Sequence, residues 1–143
     1  MKNTTIKDCK IIQLPKFQER EKGNISFIEN KNHIPFDVKR IFYLYDIPGG
    51  ESRGAHSHYN CNQFLIAASG CFTVEIDDGK KKYRHVLNKP DFGLFIPCGI
   101  WASELDFSSG SICLVLTSDY YKEDDYIRDY DKFLNLKLDV TNS

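Results

Sequence analysis

The chain has 143 residues, of which 41% are hydrophobic and 27% charged, and this composition suits a single globular domain spanning residues 1–143. Its 19 basic and 20 acidic residues give a net charge of −1, which excludes a general electrostatic attraction to nucleic acid or anionic lipid. No N-terminal segment resembles a signal peptide, and no stretch approaches the ~20 apolar residues of a membrane span. We therefore expect a cytoplasmic protein without nucleic-acid or membrane partners.

Short apolar segments separated by turn residues run through most of the chain and predict a mainly β protein. Asp77, Asp78 and Gly79 include the Asp-Gly pair that tight hairpin turns prefer, so they are predicted to join two strands. The segment 112–116, ICLVL, is apolar on both faces, which is typical of a strand enclosed between two layers. The predicted strands cover residues 26–28, 38–45, 63–68, 71–76, 83–87, 93–96 and 111–117.

Only the C-terminal part of the chain shows convincing helical spacing. Its apolar residues recur at helical intervals, residues 118–119 suit an N-cap, and the acidic residues 123–125 suit a first helical turn. The sequence thus predicts a β body over about residues 8–118 and a helical segment over about residues 121–136. The recurring apolar positions are Tyr126, Ile127, Tyr130, Phe133 and Leu134.

The chain contains an odd number of cysteines without a CxxC spacing. Three of them lie in apolar, strand-like runs, where cysteine packs as a small hydrophobic residue. We interpret all of them as reduced thiols, so neither a disulfide nor a zinc site is implied. The five residues are Cys9, Cys61, Cys71, Cys98 and Cys113.

Two histidines, His56 and His58, stand just before an apolar run in the stretch RGAHSHYNCNQFLIAASG, residues 53–70. Their spacing to Gly50, Gln63 and Gly70 resembles the first motif of the cupins, small jelly-roll domains also described as double-stranded β-helices. The resemblance implies a mainly β cupin fold, here with a short C-terminal helix. Because residues i and i+2 of a strand point to the same face, both histidines would project into the barrel.

Metal-binding cupins carry a glutamate at the position of Gln63 and another histidine at the position of Ala102, after a second motif that resembles residues 97–99. Two of the four expected ligands are therefore replaced, and two histidines alone leave a divalent ion underligated. We expect no metal and no other cofactor.

Proton transfer and simple packing are then the two main interpretations of the histidine pair. Histidine has an unperturbed pKa of about 6.5, which suits proton exchange at neutral pH. Two polar rings on one interior face also need hydrogen-bond partners or a substrate. The pattern favours proton transfer, with packing as the alternative.

Further segments are similar to the sugar-nucleotide 3,4-ketoisomerases, a WxcM-like group of the cupin superfamily. These segments are KRIFYLYD (39–46), RGAHSH (53–58), DDG (77–79), IWASELDFSSGS (100–111) and SDYYKEDDYIRDYDKF (118–133). The resemblance implies an isomerase that moves the keto group of dTDP-4-keto-6-deoxyglucose from C4 to C3 through an enediol, in biosynthesis of 3-amino-3,6-dideoxyhexoses for surface glycans. It also implies a cytoplasmic homodimer with a metal-free site.

The resemblance assigns the proton transfer to the two histidines. His58 is the expected base, and His56 is its partner in moving or orienting protons. The chemistry agrees, because a ketone at C4 acidifies the C3 hydrogen, and relocating the carbonyl needs proton carriers but no redox cofactor.

Five residues are expected to bind the substrate: Arg40, Arg53, Gln63, Trp101 and Arg128. The guanidinium groups of Arg53 and Arg128 match diphosphate oxygens, although a surface ion pair with Asp129 or Asp131 is the alternative for Arg128. Arg40 alternates with apolar residues and would face the site or cover the barrel rim. Trp101 would stack on thymine or sugar, or belong to the core.

Ala102 is a departure from the resemblance, because many relatives have histidine or arginine after the tryptophan. The missing side chain bears on how the sugar is oriented and on which C4 epimer forms. Two alternatives to the isomerase are a 3,5-epimerase of similar fold and a non-catalytic sugar-nucleotide-binding protein. The second histidine and the tyrosine-rich C-terminal segment argue against the epimerase.

Overall fold

The structure, a computed structural model, describes residues 1–142. Within these residues it contains twelve strands, a C-terminal helix α1 (Tyr130–Asn142), and 3-10 turns at Ile6–Asp8 and Glu123–Asp125. The strands are β1 (Lys10–Gln13), β2 (Lys16–Glu19), β3 (Gly23–Ser26), β4 (Arg40–Leu44), β5 (Arg53–His58), β6 (Gln63–Ser69), β7 (Phe72–Asp77), β8 (Lys82–Leu87), β9 (Phe92–Ile96), β10 (Trp101–Leu105), β11 (Ile112–Thr117) and β12 (Tyr126–Ile127).

The strands form two five-stranded antiparallel sheets and a separate two-stranded hairpin. The first sheet has the order β1-β9-β6-β11-β4, the second has the order β12-β5-β10-β7-β8, and β2 pairs with β3. Leu65 and Val115 from the first sheet share one buried core with Val74 and Ile76 from the second. The predicted mainly β jelly roll with a C-terminal helix is confirmed.

Strand β11 is enclosed on both faces, as its apolar sequence predicts. Cys113 and Val115 belong to the core between the sheets, whereas Leu116 belongs to a second apolar cluster. Ile34 and Phe36, which precede β4, contribute to this second cluster on the outer face of the first sheet. Burial on both sides explains why β11 lacks the usual alternation of apolar and polar residues.

The predicted hairpin lies between β7 and β8. Asp77 pairs with Lys82 across the two strands, and Gly79 in the intervening loop has a φ of +90°. The Asp77 carboxylate accepts a hydrogen bond from the Gly79 N–H at 2.7 Å, and the Asp78 carboxylate accepts one from the Lys80 N–H at 2.9 Å. Both aspartates therefore stabilise the turn through their side chains.

The C-terminal helix spans residues 130–142 rather than about 121–136. Tyr126 and Ile127 instead form β12, which pairs with β5 and extends the second sheet, so the chain returns to the sheet before it becomes helical. Asp129 caps the helix, because its carboxylate accepts a hydrogen bond from the Lys132 N–H at 2.9 Å. No helix within residues 1–142 is long and apolar enough to cross a membrane.

The N-terminal strands also differ from the prediction. The predicted strand at 26–28 is replaced by β3, which ends at Ser26 and pairs with β2. Every residue of β2 and β3 is exposed. These strands therefore lack the burial alternation by which strands are recognised in a sequence.

Candidate active site

His56 and His58 lie side by side at the C-terminal end of β5. Their ring centroids are 5.0 Å apart, and the rings meet edge to face at 86°. The Tyr126 ring, from the neighbouring strand β12, lies 5.0 Å from the His56 ring and 4.4 Å from the His58 ring. The i, i+2 spacing has thus placed both histidines on one face of the strand, with Ala102 of β10 opposite His56.

A kink in β5 precedes the two histidines. Gly54 and Ala55 have positive φ values of 91° and 63°, and the register between β5 and β10 shifts between Ala102 and Ser103. A β-bulge of this kind changes the direction of a strand, and glycine adopts its backbone without steric cost. The kink therefore sets the direction in which His56 points.

His58 is held by a buried carboxylate from the 3-10 turn before β12. Its Nδ1 lies 3.0 Å from Oδ2 of Asp125, and both side chains are more than nine-tenths buried. Because an N–H on Nδ1 donates to the carboxylate, Nε2 keeps its lone pair. Among residues 1–142, Nε2 has no hydrogen-bond partner although it is buried. His58 therefore presents an unoccupied proton-accepting atom.

Asp125 also fixes the loop that follows β5. Its Oδ1 accepts a hydrogen bond from the Asn60 N–H at 2.8 Å, and its Oδ2 accepts one from the Cys61 N–H at 3.2 Å. Its backbone carbonyl accepts another from the Tyr59 N–H at 3.0 Å. These bonds hold the carboxylate in place beside His58.

We refer to His56, His58, Asp125 and Tyr126 together as the histidine site.

Burial lowers the pKa of both histidines. The pKa of His58 lies below its ordinary value of 6.5 because of burial, although the hydrogen bond and the charge of Asp125 oppose this effect. The pKa of His56 falls to about 4, first because of burial and then because His58 and Arg128 lie nearby. Both rings are therefore neutral at pH 7, and a neutral His58 can accept a proton.

Arg128 lies at the edge of the histidine site. Its Cζ is 4.4 Å from the centre of the Tyr126 ring, a cation–π arrangement. Its Nε and Nη2 donate to the two carboxylate oxygens of Glu123, at 2.7 and 3.0 Å. The ion pair considered from the sequence thus exists, but it is made with Glu123 and not with Asp129 or Asp131.

Arg40 approaches from the first sheet. Its Cζ is 5.5 Å from the centre of the Tyr121 ring, and its Nε donates to Oγ1 of Thr117 at 3.3 Å. The positive charges of Arg40 and Arg128 both lower the pKa of His58. Both arginines are therefore close enough to act on the charge of the histidine site.

Gln63 and Arg53 have different surroundings. Gln63 is buried at the start of β6, where it pairs with Thr117 of β11 and Ile96 of β9. Arg53 is exposed at the start of β5 and pairs with Glu104, so the kink separates it from the histidines. Thr117 of β11 thus lies between Gln63 of β6 and Arg40 of β4, whereas Arg53 stands apart.

Trp101 does not join the histidine site. Its ring centroid lies 5.1 Å from that of Tyr130 and 5.6 Å from that of Phe133, both in α1. Since neighbouring residues of a strand point to opposite faces, Trp101 and Ala102 cannot face the same side of β10. Trp101, which is partly buried, therefore packs α1 onto the second sheet.

Three potential metal ligands lie close together at the site. The ligand atoms of His58, Cys61 and Asp125 are all within 4.8 Å of one another. The Asp125 oxygens are already engaged by His58 and two backbone N–H groups, and Cys61 Sγ donates to the Asn62 carbonyl at 3.5 Å. Burial also raises the pKa of Cys61, which disfavours the thiolate that binds metals. These residues fit a hydrogen-bonded network better than a metal site.

Local sequence patterns do not single out Asp125 and Tyr126 as site residues. The acidic run 123–125 suits the first turn of a helix, and Tyr126 falls at helical spacing, so the pattern predicts a helix at both positions. The available signal was their position in segment 118–133, which is part of the resemblance to the isomerases.

The jelly roll and the histidine site define a cupin-type protein in which a histidine on strand β5 pairs with an aspartate from the 3-10 turn before β12. A model of the family described as FdtA: WxcM-like, C-terminal matches residues 7–138. The TDP-4-oxo-6-deoxy-alpha-D-glucose-3,4-oxoisomerase of Aneurinibacillus thermoaerophilus is 39% identical over 133 residues, which are 93% of this chain and 91% of that protein. The chain therefore belongs to the WxcM-like FdtA family, as the resemblance predicts.

Solved structures agree with this assignment. A 3,4-ketoisomerase from Helicobacter canadensis is 40% identical, with a TM-score of 0.88 over 92% of this chain and 98% of the other. The 3,4-ketoisomerase QdtA from Thermoanaerobacterium thermosaccharolyticum, solved with TDP, is 32% identical, with a TM-score of 0.91 over 94% and 98% of the two chains. A histidine-to-asparagine mutant of QdtA, solved with TDP-4-keto-6-deoxyglucose, is 33% identical, with a TM-score of 0.88 over 92% and 94%.

Proposed function

We propose that this chain is a sugar-nucleotide 3,4-ketoisomerase that converts TDP-4-keto-6-deoxyglucose into its 3-keto isomer. The observation that carries the proposal is the buried pair of His58 and Asp125, which leaves Nε2 of a neutral imidazole free to take a proton. Relatives at 39% and 40% identity, named as a 3,4-oxoisomerase and a 3,4-ketoisomerase, support the same reaction.

His58 is the proposed base. The C4 carbonyl acidifies the C3 hydrogen, so Nε2 removes this proton and leaves an enediolate across C3 and C4, with the negative charge on the oxygen of C4. Protonation at C4, with transfer of the hydroxyl proton from the oxygen on C3 to the oxygen on C4, completes the shift of the carbonyl to C3. Asp125 keeps the proton on Nδ1 and stabilises the imidazolium that forms during turnover. The sequence of proton transfers requires neither a redox cofactor nor a metal.

His56 is the proposed partner in the proton transfers. Its ring lies beside that of His58, and its pKa of about 4 keeps it neutral during turnover. A neutral imidazole can donate from one nitrogen and accept at the other. His56 is thus suited to orient the two oxygens of the enediol and to relay a proton between them, while His58 handles the carbon-bound proton.

Arg128 and Arg40 are the proposed contacts for the diphosphate. Arg128 lies over the ring of Tyr126, and Arg40 lies over the ring of Tyr121, which packs against Tyr126. Their planar guanidinium groups suit phosphate oxygens. Arg53 is a more distant candidate for the same role, and Gln63 supplies an amide near Arg40. Trp101 has no part in the proposal, because its ring is used to pack α1.

We also propose that the protein is a homodimer. The hairpin of β2 and β3 is exposed along its whole length. Phe17 of β2 and Ile25 of β3, which pair across the hairpin, are 62% and 66% exposed. A two-stranded hairpin is marginally stable alone, so it needs a surface to pack against. The outer side of the edge strand β4 offers one, because Ile41 and Tyr43 are also more than half exposed. A second copy of the chain, which brings the same hairpin and the same strand face, is the proposed occupant.

Sedimentation analysis tests the dimer. Phe17→Lys and Ile25→Lys should each shift the protein towards the monomer, because they place a charge in the proposed interface. Tyr83→Lys, on the outer strand β8 of the second sheet, is the matched control and should leave the mass unchanged. A wild-type protein that is monomeric at all concentrations would contradict this part of the proposal.

A cytoplasmic location is part of the same proposal. The five cysteines are free thiols, and four of them are buried. Buried, unpaired thiols fit a reducing compartment, where disulfides are rarely formed.

The reaction itself is tested by proton NMR with TDP-4-keto-6-deoxyglucose in D₂O. The proposed isomerase produces a 3-keto sugar and exchanges solvent deuterium at C3 and C4. Exchange at C3 and C5 would identify a 3,5-epimerase instead. Binding of TDP without any exchange would identify a non-catalytic sugar-nucleotide-binding protein, and either of these two results would refute the proposal.

A further inference from the structure

A buried glutamate lies beneath the kink that precedes the histidines. Glu104 of β10 is 9% exposed and pairs with Arg53 of β5. A Cβ added to Gly54 would overlap Oε2 of Glu104, so the carboxyl group occupies the space directly against the Gly54 backbone. Only a glycine allows the carboxyl group to approach the strand so closely.

Gly54 is in turn connected to His56. The backbone of Gly54 lies close enough to the His56 ring to raise the pKa of His56, against the larger lowering effect of burial. The Glu104 carboxyl group, the Gly54 peptide and the imidazole thus form a continuous series of contacts from β10 to the histidine site. The bulge, where Gly54 and Ala55 have positive φ, lies within this series.

The surroundings of Glu104 favour its neutral form. Oε2 is buried and has no hydrogen-bond partner among residues 1–142. Val74, its partner on β7, is apolar, and Cys113 of β11 lies near enough for Glu104 to raise the thiol pKa. Arg53 is the positive charge that faces it, but burial outweighs this charge and raises the pKa of Glu104 to about 7. A carboxylate in this position would draw water or move outward.

We propose that Glu104 is a positioning residue, whose uncharged carboxyl group supports the Gly54 kink and thereby fixes the orientation of His56 for the proton transfers. The inference rests on the proposed isomerase activity. Ionisation of Glu104 withdraws this support, so turnover decreases as the pH rises above neutrality while TDP binding is retained.

Kinetics of three variants test the inference. Glu104→Gln keeps the shape but cannot ionise, so it should retain kcat near neutral pH and lose the decrease at alkaline pH. Glu104→Ala should lower kcat by about tenfold or more with little change in TDP affinity, because small displacements of a catalytic group are costly. Glu75→Gln, on the outer face of β7 where it pairs with Arg84, is the matched control and should keep the wild-type pH profile.

Nitrogen NMR of His56 provides a readout that does not depend on activity. The ¹⁵N shifts of the His56 ring should change with pH around the titration of Glu104 in the wild type, and they should not do so in Glu104→Gln. Identical pH profiles and His56 shifts in the wild type and in Glu104→Gln would refute the inference. If the wild type had no isomerase activity, the proposed function would fail, whereas the His56 shifts would still decide the positioning role.

Discussion

Nδ1 of His58 and Oδ2 of Asp125 lie 3.0 Å apart, in a contact between residues 67 positions apart in the sequence. The contact exists because β12 returns to pair with β5 immediately after the 3-10 turn that carries Asp125. It leaves the opposite nitrogen of the imidazole ring as a buried proton acceptor without a partner among residues 1–142. The orientation of the proposed base thus depends on the C-terminal part of the chain.

Asp125→Asn tests this dependence. Asparagine has nearly the same shape, but it cannot stabilise an imidazolium and it permits the wrong tautomer of His58. We expect kcat to fall roughly 10²- to 10⁴-fold, with the affinity for TDP within about threefold of the wild type. Steady-state kinetics and calorimetry measure the two quantities. Wild-type turnover in a folded Asp125→Asn protein would contradict the role given to Asp125.

The pH titration of His58 provides a second test. Burial lowers the pKa of His58, and Asp125 raises it. In the wild type, NMR titration should therefore show His58 protonating below pH 6.5, and in Asp125→Asn it should protonate at a still lower pH. On the acid side, the wild-type rate should decline as the pH falls through the lowered pKa of His58, because the neutral form is the base. A His58 pKa above 6.5 in the wild type would contradict the burial of the ring.

The lowered pKa of His56 also makes folding stability depend on pH. The unfolded chain binds a proton near pH 6.5, whereas the folded chain binds it only near pH 4. The contribution of neutral His56 to the free energy of unfolding is therefore fully present above pH 6.5 and is lost as the pH falls towards 4. Urea unfolding measures this effect. Between pH 6.5 and 4, the free energy of unfolding should fall more steeply for the wild type than for His56→Asn. Parallel curves would contradict it.

Trp101→Ala should affect stability rather than substrate binding. The Trp101 ring contacts Tyr130 and Phe133 of α1, on the other side of β10 from Ala102. Loss of this contact should cost about 2 kcal/mol of unfolding free energy, the scale of burying one large apolar side chain. The affinity for TDP, measured by calorimetry, should stay within about twofold of the wild type. A loss of TDP affinity without a change in stability would contradict this prediction and support stacking of Trp101 on the thymine or the sugar.

Ala102 is buried on β10 and lies opposite His56 of β5. Ala102→His and Ala102→Arg should change the rate or the C4 stereochemistry of the product more than they change the melting temperature, because groups beside the sugar control its orientation. Ser103→His is the matched control, since residue 103 points to the other face of β10. NMR of the products distinguishes the epimers. Wild-type products at wild-type rates from both Ala102 variants would show that this position does not contact the sugar.

Local patterns in the sequence predicted the parts of the molecule that depend on neighbouring residues. The shared face of His56 and His58 follows from strand geometry, and the β7–β8 hairpin follows from its Asp-Gly turn. Asp125 could not be found in this way, because its role arises from a long-range strand pairing that overrides the helical spacing of Tyr126 and Ile127. Helical spacing also gave no indication that α1 starts only at Tyr130, after β12 has formed.

The most direct measurement of the central claim is the turnover of His58→Asn. Asparagine keeps a polar side chain at this position but cannot cycle a proton, so we expect a loss of roughly 10²- to 10⁴-fold or more in product formation by NMR. TDP affinity and melting temperature should remain near those of the wild type. His56→Asn should lose less activity, and His85→Asn, on β8 away from the site, should lose none. A His58→Asn protein that turns over at the wild-type rate, or that is inactive only because it is unfolded, would contradict the assignment of His58 as the base.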